Sequence, residues 1–172
     1  MYVYGHGQIR LRFAEPPDVP LILQFIRGLA EYEHLLDQVE ATEAGLRQHL
    51  FEEKKAEVII GEYAGVPAGF VLFFYHFSTF LGKPGIYIED LFVKPELRGR
   101  GLGKTLLSFM ADLAVQRNCG RLEWACLDWN EPSIRFYQRQ GALPLTDWTL
   151  YRVTGKALQI LPGESRKAHL PV

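Results

Sequence analysis

Apolar and polar positions along the chain recur with two different periods, and these periods predict its elements. Strand-like runs occupy residues 9–13, 57–63, 68–77, 86–93 and 122–127, with weaker runs at 148–154 and 157–161. The runs 57–63 and 68–77 flank Ala64-Gly65-Val66-Pro67, which is typical of a β-hairpin turn. Residues 77–85 have no periodicity, and we expect a loop there.

Helical spacing of apolar residues predicts the remaining elements. A first helix begins after the N-cap candidate Asp18 and runs to about Tyr32, and a second, short helix follows Thr42. A third helix runs from a glycine-rich turn near residue 101 to about residue 117. A fourth begins after Asn130 and ends before Gly141.

No linker or repeat divides this series, so we expect one domain over residues 9–161. Residues 1–8 carry no periodicity and predict a loose N-terminal arm, and residues 162–172 predict a polar tail. Residues 86–127 read as strand, crossover helix, strand, which indicates a right-handed parallel unit. The fold class is therefore α/β, with a mixed sheet.

Composition narrows the function classes. The chain has 172 residues, 48% hydrophobic and 23% charged, with a net charge of −1. These are the values of an ordinary globular protein without the basic field that recruits nucleic acid. The apolar runs are too short to span a membrane. Two cysteines without metal-ligand spacing favour a reducing, cytoplasmic location, and no metal site is predicted.

The strand 86–93 leads into a glycine-rich turn with basic flanks. The turn contains, in order, Arg98, Gly99, Arg100, Gly101, Leu102, Gly103 and Lys104. Alternate glycines at a helix N-terminus let backbone N–H groups approach a phosphate or pyrophosphate. The nucleotide-hydrolase loop and the dinucleotide fingerprint each need a glycine where the chain has Arg98 or Lys104, so neither motif is present.

The pattern Arg98-x-x-Gly101-x-Gly103 after a strand resembles the acyl-CoA pyrophosphate loop of the GNAT N-acetyltransferases. Three further blocks resemble the spermidine/spermine and thialysine acetyltransferase group of that superfamily. They are Leu29-Ala30-x-Tyr32-Glu33, the strand 87–93, and Trp129-Asn130-Glu131-Pro132-Ser133 with its continuation to Ala142. The resemblance implies the GNAT fold, a central mixed sheet with helices on both faces, and acetyl transfer from acetyl-CoA to a primary amine.

The resemblance also implies roles for individual residues. Tyr137 would be the general acid for the leaving thiolate, and Glu89 the base for the amine, through a water molecule. The implied cofactor-binding residues are Leu91, Phe92, Val93, Arg98, Gly99, Arg100, Gly101, Leu102, Gly103, Lys104, Asn130, Pro132, Ser133, Tyr137 and Arg139. From the residues alone, Tyr137 could be a core tyrosine, Asn130 a plain helix cap, and Glu89 the partner of an arginine.

A small cationic amine, such as a polyamine, a diamine or a thialysine-like amino acid, needs an acidic site. The residues assigned to it by resemblance or neighbourhood are Tyr32, Glu33, Glu89, Asp90, Glu123, Trp124, Asp147 and Trp148. Residues 78–83 lack the acidic and indole side chains expected of polyamine-specific members, which leaves other primary amines open.

Two other functions remain open at this point. One is acetylation of a protein lysine or N-terminus, and the other is a non-catalytic acyl-CoA sensor on the same fold. The resemblance implies a homodimer, and the aromatic stretch 73–80 is the sequence feature that supports it.

Overall fold

A computed structural model describes residues 2–162 of the chain. The described residues form two compact units, a first that ends at Ala125 and a second that begins at Cys126. Among residues 2–162, no helix combines the length and apolar character needed to cross a bilayer.

The first unit is built on a six-stranded sheet in which spatial order follows chain order. The strands are β1 (Tyr2–His6), β2 (Ile9–Phe13), β3 (Glu57–Tyr63), β4 (Val66–Ser78), β5 (Lys83–Val93) and β6 (Leu122–Trp124). Strands β1 to β5 pair antiparallel, and β6 lies parallel to β5. The β3–β4 turn has positive φ at Ala64 (52°) and Gly65 (78°), as a two-residue hairpin turn requires.

Three helices pack on this sheet: α1 (Val19–Tyr32), α2 (Glu43–Leu46) with a π-helical continuation over Arg47–Glu52, and α3 (Leu102–Gln116). Phe25 of α1 stacks on Phe70 of β4, with ring centroids 5.4 Å apart, and also contacts Phe92 of β5. On the other face, Leu102 of α3 packs over Gly61, where a Cβ atom would lie 2.9 Å from its Cδ1. The helices therefore cover both faces of the mixed sheet, as predicted.

The second unit contains two helices among its described residues, α4 (Glu131–Arg139) and α5 (Gly155–Ile160). Asn130 caps α4, because its Oδ1 accepts a hydrogen bond from the Ser133 N–H at 3.4 Å. Gly141 follows α4 with a φ of 87°, a left-handed value that ends a helix.

Strands β2 and β3, the β3–β4 hairpin, and helices α1, α3 and α4 confirm the sequence predictions. The expectation of a loose N-terminal arm over residues 1–8 is wrong from Tyr2 onward. Gly7, with a φ of 55°, allows a two-residue turn, and β1 pairs with β2 through it. The predicted tail extends beyond the described residues, since positions 163–172 lie outside them.

Two further sequence predictions are wrong. Residues 77–85 are mostly strand, because β4 and β5 remain paired to Ser78 and Lys83. Apolar residues do not mark the buried face at this hairpin end, because Phe77 is 61% exposed while the neighbouring polar Ser78 is buried, and Phe80 in the turn is 96% exposed. Residues 148–154 form no strand and 157–160 lie in α5. The segment 148–154 has strand-forming residues, but a strand also needs a neighbouring strand to pair with.

Candidate active site

The glycine-rich turn joins β5 to α3 and presents its backbone to solvent. After a short turn at Pro95–Leu97, Gly99 and Gly101 have φ values of 76° and 89°. No atom lies within 4 Å of a Cβ placed on Gly99, so the space beside that backbone is open. Leu102 is buried and anchors the start of α3. The turn thus combines exposed N–H groups with a helix N-terminus, which suits a phosphate group.

Arg98 ties this turn to the end of α1. Its Nε donates to the Val93 carbonyl at 3.0 Å, and its guanidinium lies over the Tyr32 ring, 4.2 Å from the centroid. Arg100 lies over the Tyr63 ring at 5.2 Å. Arginine over an aromatic face is a favourable contact, so these side chains fix the loop against the sheet and α1.

Strands β5 and β6 separate in the middle of β5. Their parallel ladder pairs Ile86 with Leu122 and ends at Ile88 opposite Trp124, where β6 itself ends. Strand β5 continues beyond this point to Val93. An edge of this kind can take up an extended ligand as an additional strand.

A β-bulge lies at the point of separation. On β4, Phe73 pairs with Ile88 and its neighbour Leu72 pairs with Asp90, so Glu89 is an extra residue on β5. A bulge interrupts the alternation of side chains along a strand, so strict alternation does not set the faces of Glu89 and Asp90. Asp90 lies on the α1 face, because Leu72 opposite it packs against the cluster around Phe25.

Three carboxylates interact around this bulge: Glu89 and Asp90 from β5, and Glu33 from the end of α1. Burial, and then the negative charges of Glu89 and Glu33, raise the pKa of Asp90 to about 7. Burial also raises the pKa of Glu33. A carboxyl group with a pKa near neutral pH in an acidic cluster can bind an ammonium group and take its proton.

The predicted substrate residues on β6 have other contacts. The Glu123 carboxylate lies 2.8 Å from Arg121 Nε and 3.0 Å from His76 Nε2, so it forms part of an ion-pair cluster. Trp124 is half-buried opposite Ile88, beside the point where the strands separate. The first unit therefore groups Glu33, Glu89 and Asp90, and it gives Glu123 basic partners.

The second unit holds the other predicted site residues. Tyr137 is half-buried on α4, and its ring centroid lies 5.2 Å from that of Phe136. Asn130 and Ser133 form the helix cap, whereas Pro132 and Arg139 are exposed at the two ends of α4. Asp147 and Trp148 are exposed in the segment after α4, Trp148 at 76%.

The residues of the first unit fit an acyl-CoA. Gly99 leaves open space beside the backbone, Arg100 and Lys104 are exposed in the same loop, and the edge of β5 leads away from the loop. These are the groups that a pyrophosphate and an extended pantetheine arm require.

Sequence reasoning missed two features of this site. The bulge at Glu89 depends on pairing with β4, and no turn residue or glycine marks it in the sequence. The contact between Arg98 and Tyr32 joins two motifs that sequence reasoning assigned to different ligands. The sequence feature that could have indicated this contact is the presence of an arginine in one motif and an aromatic residue in the other.

Comparisons with known proteins show the family of this chain. The acetyltransferase (GNAT) family matches residues 24–142. A thialysine N-epsilon-acetyltransferase of Bos taurus is 36% identical over 91% of this chain and 98% of its own. An L-ornithine N5-acetyltransferase of Arabidopsis thaliana is 34% identical, over 91% of this chain and 90% of its own.

Among solved structures, an integron cassette protein from the mobile metagenome of V. cholerae superposes with a TM-score of 0.77. It is 27% identical and covers 92% of this chain and 100% of its own. The thialysine enzyme carries the name of the group that the sequence resembles. The chain therefore belongs to the GNAT family and is an acetyltransferase.

Proposed function

We propose that this enzyme transfers an acetyl group from acetyl-CoA to a primary amine of a small cationic substrate, a polyamine, a diamine or a thialysine-like amino acid. The observation that carries the proposal is the grouping of Glu33, Glu89 and Asp90 where β5 and β6 separate, on the strand that leads into the glycine loop. Relatives named for thialysine and ornithine acetylation support the same substrate size and charge.

Different residues of the chain would bind the cofactor, bind the amine and transfer protons. Residues 99–104 would hold the pyrophosphate, and residues 91–93 the pantetheine arm. Acetyl-CoA, when bound, supplies a thioester carbonyl that the amine attacks. Glu89 would remove the ammonium proton through a water molecule, and Asp90 and Glu33 would hold the amine in place. As the new C–N bond forms and the C–S bond breaks, Tyr137 would donate a proton to the leaving sulfur.

The proposal also covers the oligomeric state of the enzyme and its cellular location. A homodimer is supported by the resemblance and by the exposed Phe77 and Phe80 at the β4–β5 hairpin. A cytoplasmic location is supported by Cys119 and Cys126, both of which are free thiols.

The proposal is tested by CoA release from acetyl-CoA across diamines, polyamines, diamino acids and a lysine peptide, with wild type and Tyr137→Phe. We expect turnover of free amines, reduced about 100-fold or more in Tyr137→Phe. Full activity in that variant would remove Tyr137 from the acid role. Turnover of the peptide alone would favour the protein acetyltransferase, and binding of acetyl-CoA without turnover would favour the sensor.

A further inference from the structure

Strand β6 is short, and it forms one side of the opening between β5 and β6. It consists of Leu122–Trp124 and is the last strand of the six-stranded sheet. Its ladder with β5 runs only from Ile86 opposite Leu122 to Ile88 opposite Trp124. A ladder of this length is weak by itself, so the position of β6 at the opening depends on side-chain contacts as well.

His76 supplies such a contact from β4, which lies on the other side of β5. His76 pairs with Gly85 of β5, and a Cβ atom on Gly85 would lie 2.8 Å from His76 Cδ2 and closer still to Nε2. The imidazole therefore lies over this glycine, and it packs edge-on against the Tyr87 ring with centroids 6.0 Å apart. In this way His76 crosses β5 and reaches Glu123 of β6, whose Oε2 lies 3.0 Å from Nε2.

Arg121 adds a second contact to the same carboxylate from β6 itself. Its Nη2 lies 3.3 Å from His76 Nδ1, and its Nε lies 2.8 Å from Glu123 Oε2. Because a guanidinium can only donate, Nδ1 is the acceptor and the ring hydrogen belongs on Nε2, which faces Glu123. His76 Nε2 and Arg121 Nε are buried, and neither makes an aligned hydrogen bond within residues 2–162. Their attraction to Glu123 Oε2 is therefore mainly electrostatic, and partial burial strengthens it.

The contact between His76 and Glu123 lies one residue pair from the opening. Glu123 pairs with Tyr87, and the next pair, Ile88 with Trp124, is the last before the strands separate. The side chains of His76 and Glu123 are 23% and 26% exposed, so solvent screens their interaction less than that of a surface pair. Because Glu123 and Trp124 are adjacent, a shift of Glu123 would change the width of the opening.

We propose that His76 is a positioning residue for cofactor binding: by holding Glu123 across β5, it fixes β6 at the width that the pantetheine arm of acetyl-CoA requires. Glu123 is then an anchor for β6 and not a ligand of the amine. Arg121 supports this role by setting the orientation of the imidazole. The inference rests on the proposed function, because it takes the opening between β5 and β6 as the acetyl-CoA site.

The test compares wild type with His76→Ala and His76→Gln. Isothermal titration calorimetry gives the Kd for acetyl-CoA, hydrogen exchange followed by mass spectrometry reports on residues 122–124, and steady-state kinetics give the KM for the amine. In His76→Ala we expect the Kd to rise about 5- to 30-fold and exchange at 122–124 to become faster, with the KM for the amine near wild type. His76→Gln keeps a donor near the position of Nε2, so its Kd should stay within about threefold of wild type.

Gly85→Ala tests the path across β5 without changing a polar group. The added methyl group takes the space of the imidazole, so this variant should show the same rise in Kd, and it should add little to His76→Ala. His49→Ala is the matched control, because it removes another histidine–carboxylate contact, 3.1 Å to Glu53, on the segment after α2. Its Kd and its exchange at 122–124 should match wild type.

Several results would overturn the inference. An unchanged Kd in His76→Ala, even with faster exchange, would remove His76 from cofactor positioning. A change confined to the KM for the amine would instead make Glu123 a ligand of the amine. Additive losses in the double variant of His76→Ala and Gly85→Ala would show that the two residues act separately. Wild-type enzyme that binds acetyl-CoA but acetylates no amine would overturn the proposed function, while Kd and exchange would still test His76.

Discussion

The Arg98 guanidinium lies over the Tyr32 ring while its Nε donates to the Val93 carbonyl, so one side chain joins the end of α1 to the end of β5. Tyr32 belongs to the segment that approaches the acidic cluster, and Arg98 begins the glycine loop. The two ends of the proposed reaction site are therefore held together within the first unit. The position of the loop depends on an arginine–aromatic contact as well as on its glycines.

This contact predicts that Arg98→Lys is not a conservative change. Lysine keeps the charge but loses the planar group that lies on Tyr32, a contact worth about 0.5 to 2 kcal/mol. We expect the KM for acetyl-CoA to rise several-fold with little change in the KM for the amine. Steady-state kinetics with each substrate varied in turn would measure this. Tyr32→Leu should also raise the KM for acetyl-CoA, and Tyr32→Phe should not; equal effects of the two on this KM would contradict the ring's role.

Asp90 predicts a pH dependence of activity. Its pKa of about 7 means that it ionises close to neutral pH, so kcat/KM for the amine should rise as pH increases through about 7. Glu33→Gln removes one of the charges that raise this pKa, and the inflection should therefore move to lower pH. Asp112→Asn, an exposed carboxylate change on α3, is the control. If the inflection of Glu33→Gln stays at the wild-type pH, Asp90 is not the group whose ionisation sets the pH dependence of kcat/KM.

The same residue predicts a pH dependence of stability. The native state binds the Asp90 proton more tightly than the unfolded chain does. Protonated Asp90 therefore adds to the free energy of unfolding below about pH 4, and this contribution is lost as pH rises to about 7. Asp90→Asn should therefore gain stability over wild type at pH 8 and not at pH 4. The gain should be about 1 to 2 kcal/mol after allowance for partial exposure. Urea unfolding at both pH values would measure it.

Asp18 predicts the opposite pH dependence. Its hydrogen bond to Arg12, at 2.6 Å, lowers the pKa of its carboxyl group. The ionised Asp18 therefore adds to the free energy of unfolding above its unfolded-state pKa near 3.8. This contribution is lost as pH falls through the lower pKa of the native state. Asp18→Asn should cost about 1 to 3 kcal/mol of unfolding free energy at pH 7, and less below pH 3. A pH-independent difference between the two proteins would contradict this assignment.

Gly69 predicts a steric limit on β4. A Cβ atom there would lie 2.3 Å from the Phe92 carbonyl oxygen, and backbone cannot rotate away as a side chain can. Gly69→Ala should therefore destabilise the protein by about 1 to 3 kcal/mol and disturb β5 next to the loop. Thermal unfolding would measure the loss. Ala68→Gly, at the neighbouring buried position, separates steric conflict from a general effect on this strand.

Local signals in the sequence predicted most of the fold. The Ala64-Gly65 turn, the glycines of the loop and the Asn130 cap each act through adjacent residues, and each was found. The bulge at Glu89 and the pKa of Asp90 depend on Leu72 and Glu33, which lie far along the chain. Residues 148–154 show the converse, since they have strand propensity without a paired neighbour.

The bulge allows the residue at position 89 to be lost without a change in the pairing of β4 with β5. Because Glu89 is the extra residue, a chain without it could keep the pairs of Phe73 with Ile88 and of Leu72 with Asp90 in one uninterrupted ladder. The sheet therefore does not require a residue at this position. A single-codon deletion could remove the proposed base while Asp90, Phe92 and the glycine loop kept their register. An acetyltransferase and an acyl-CoA-binding relative without activity would then be separated by one deletion.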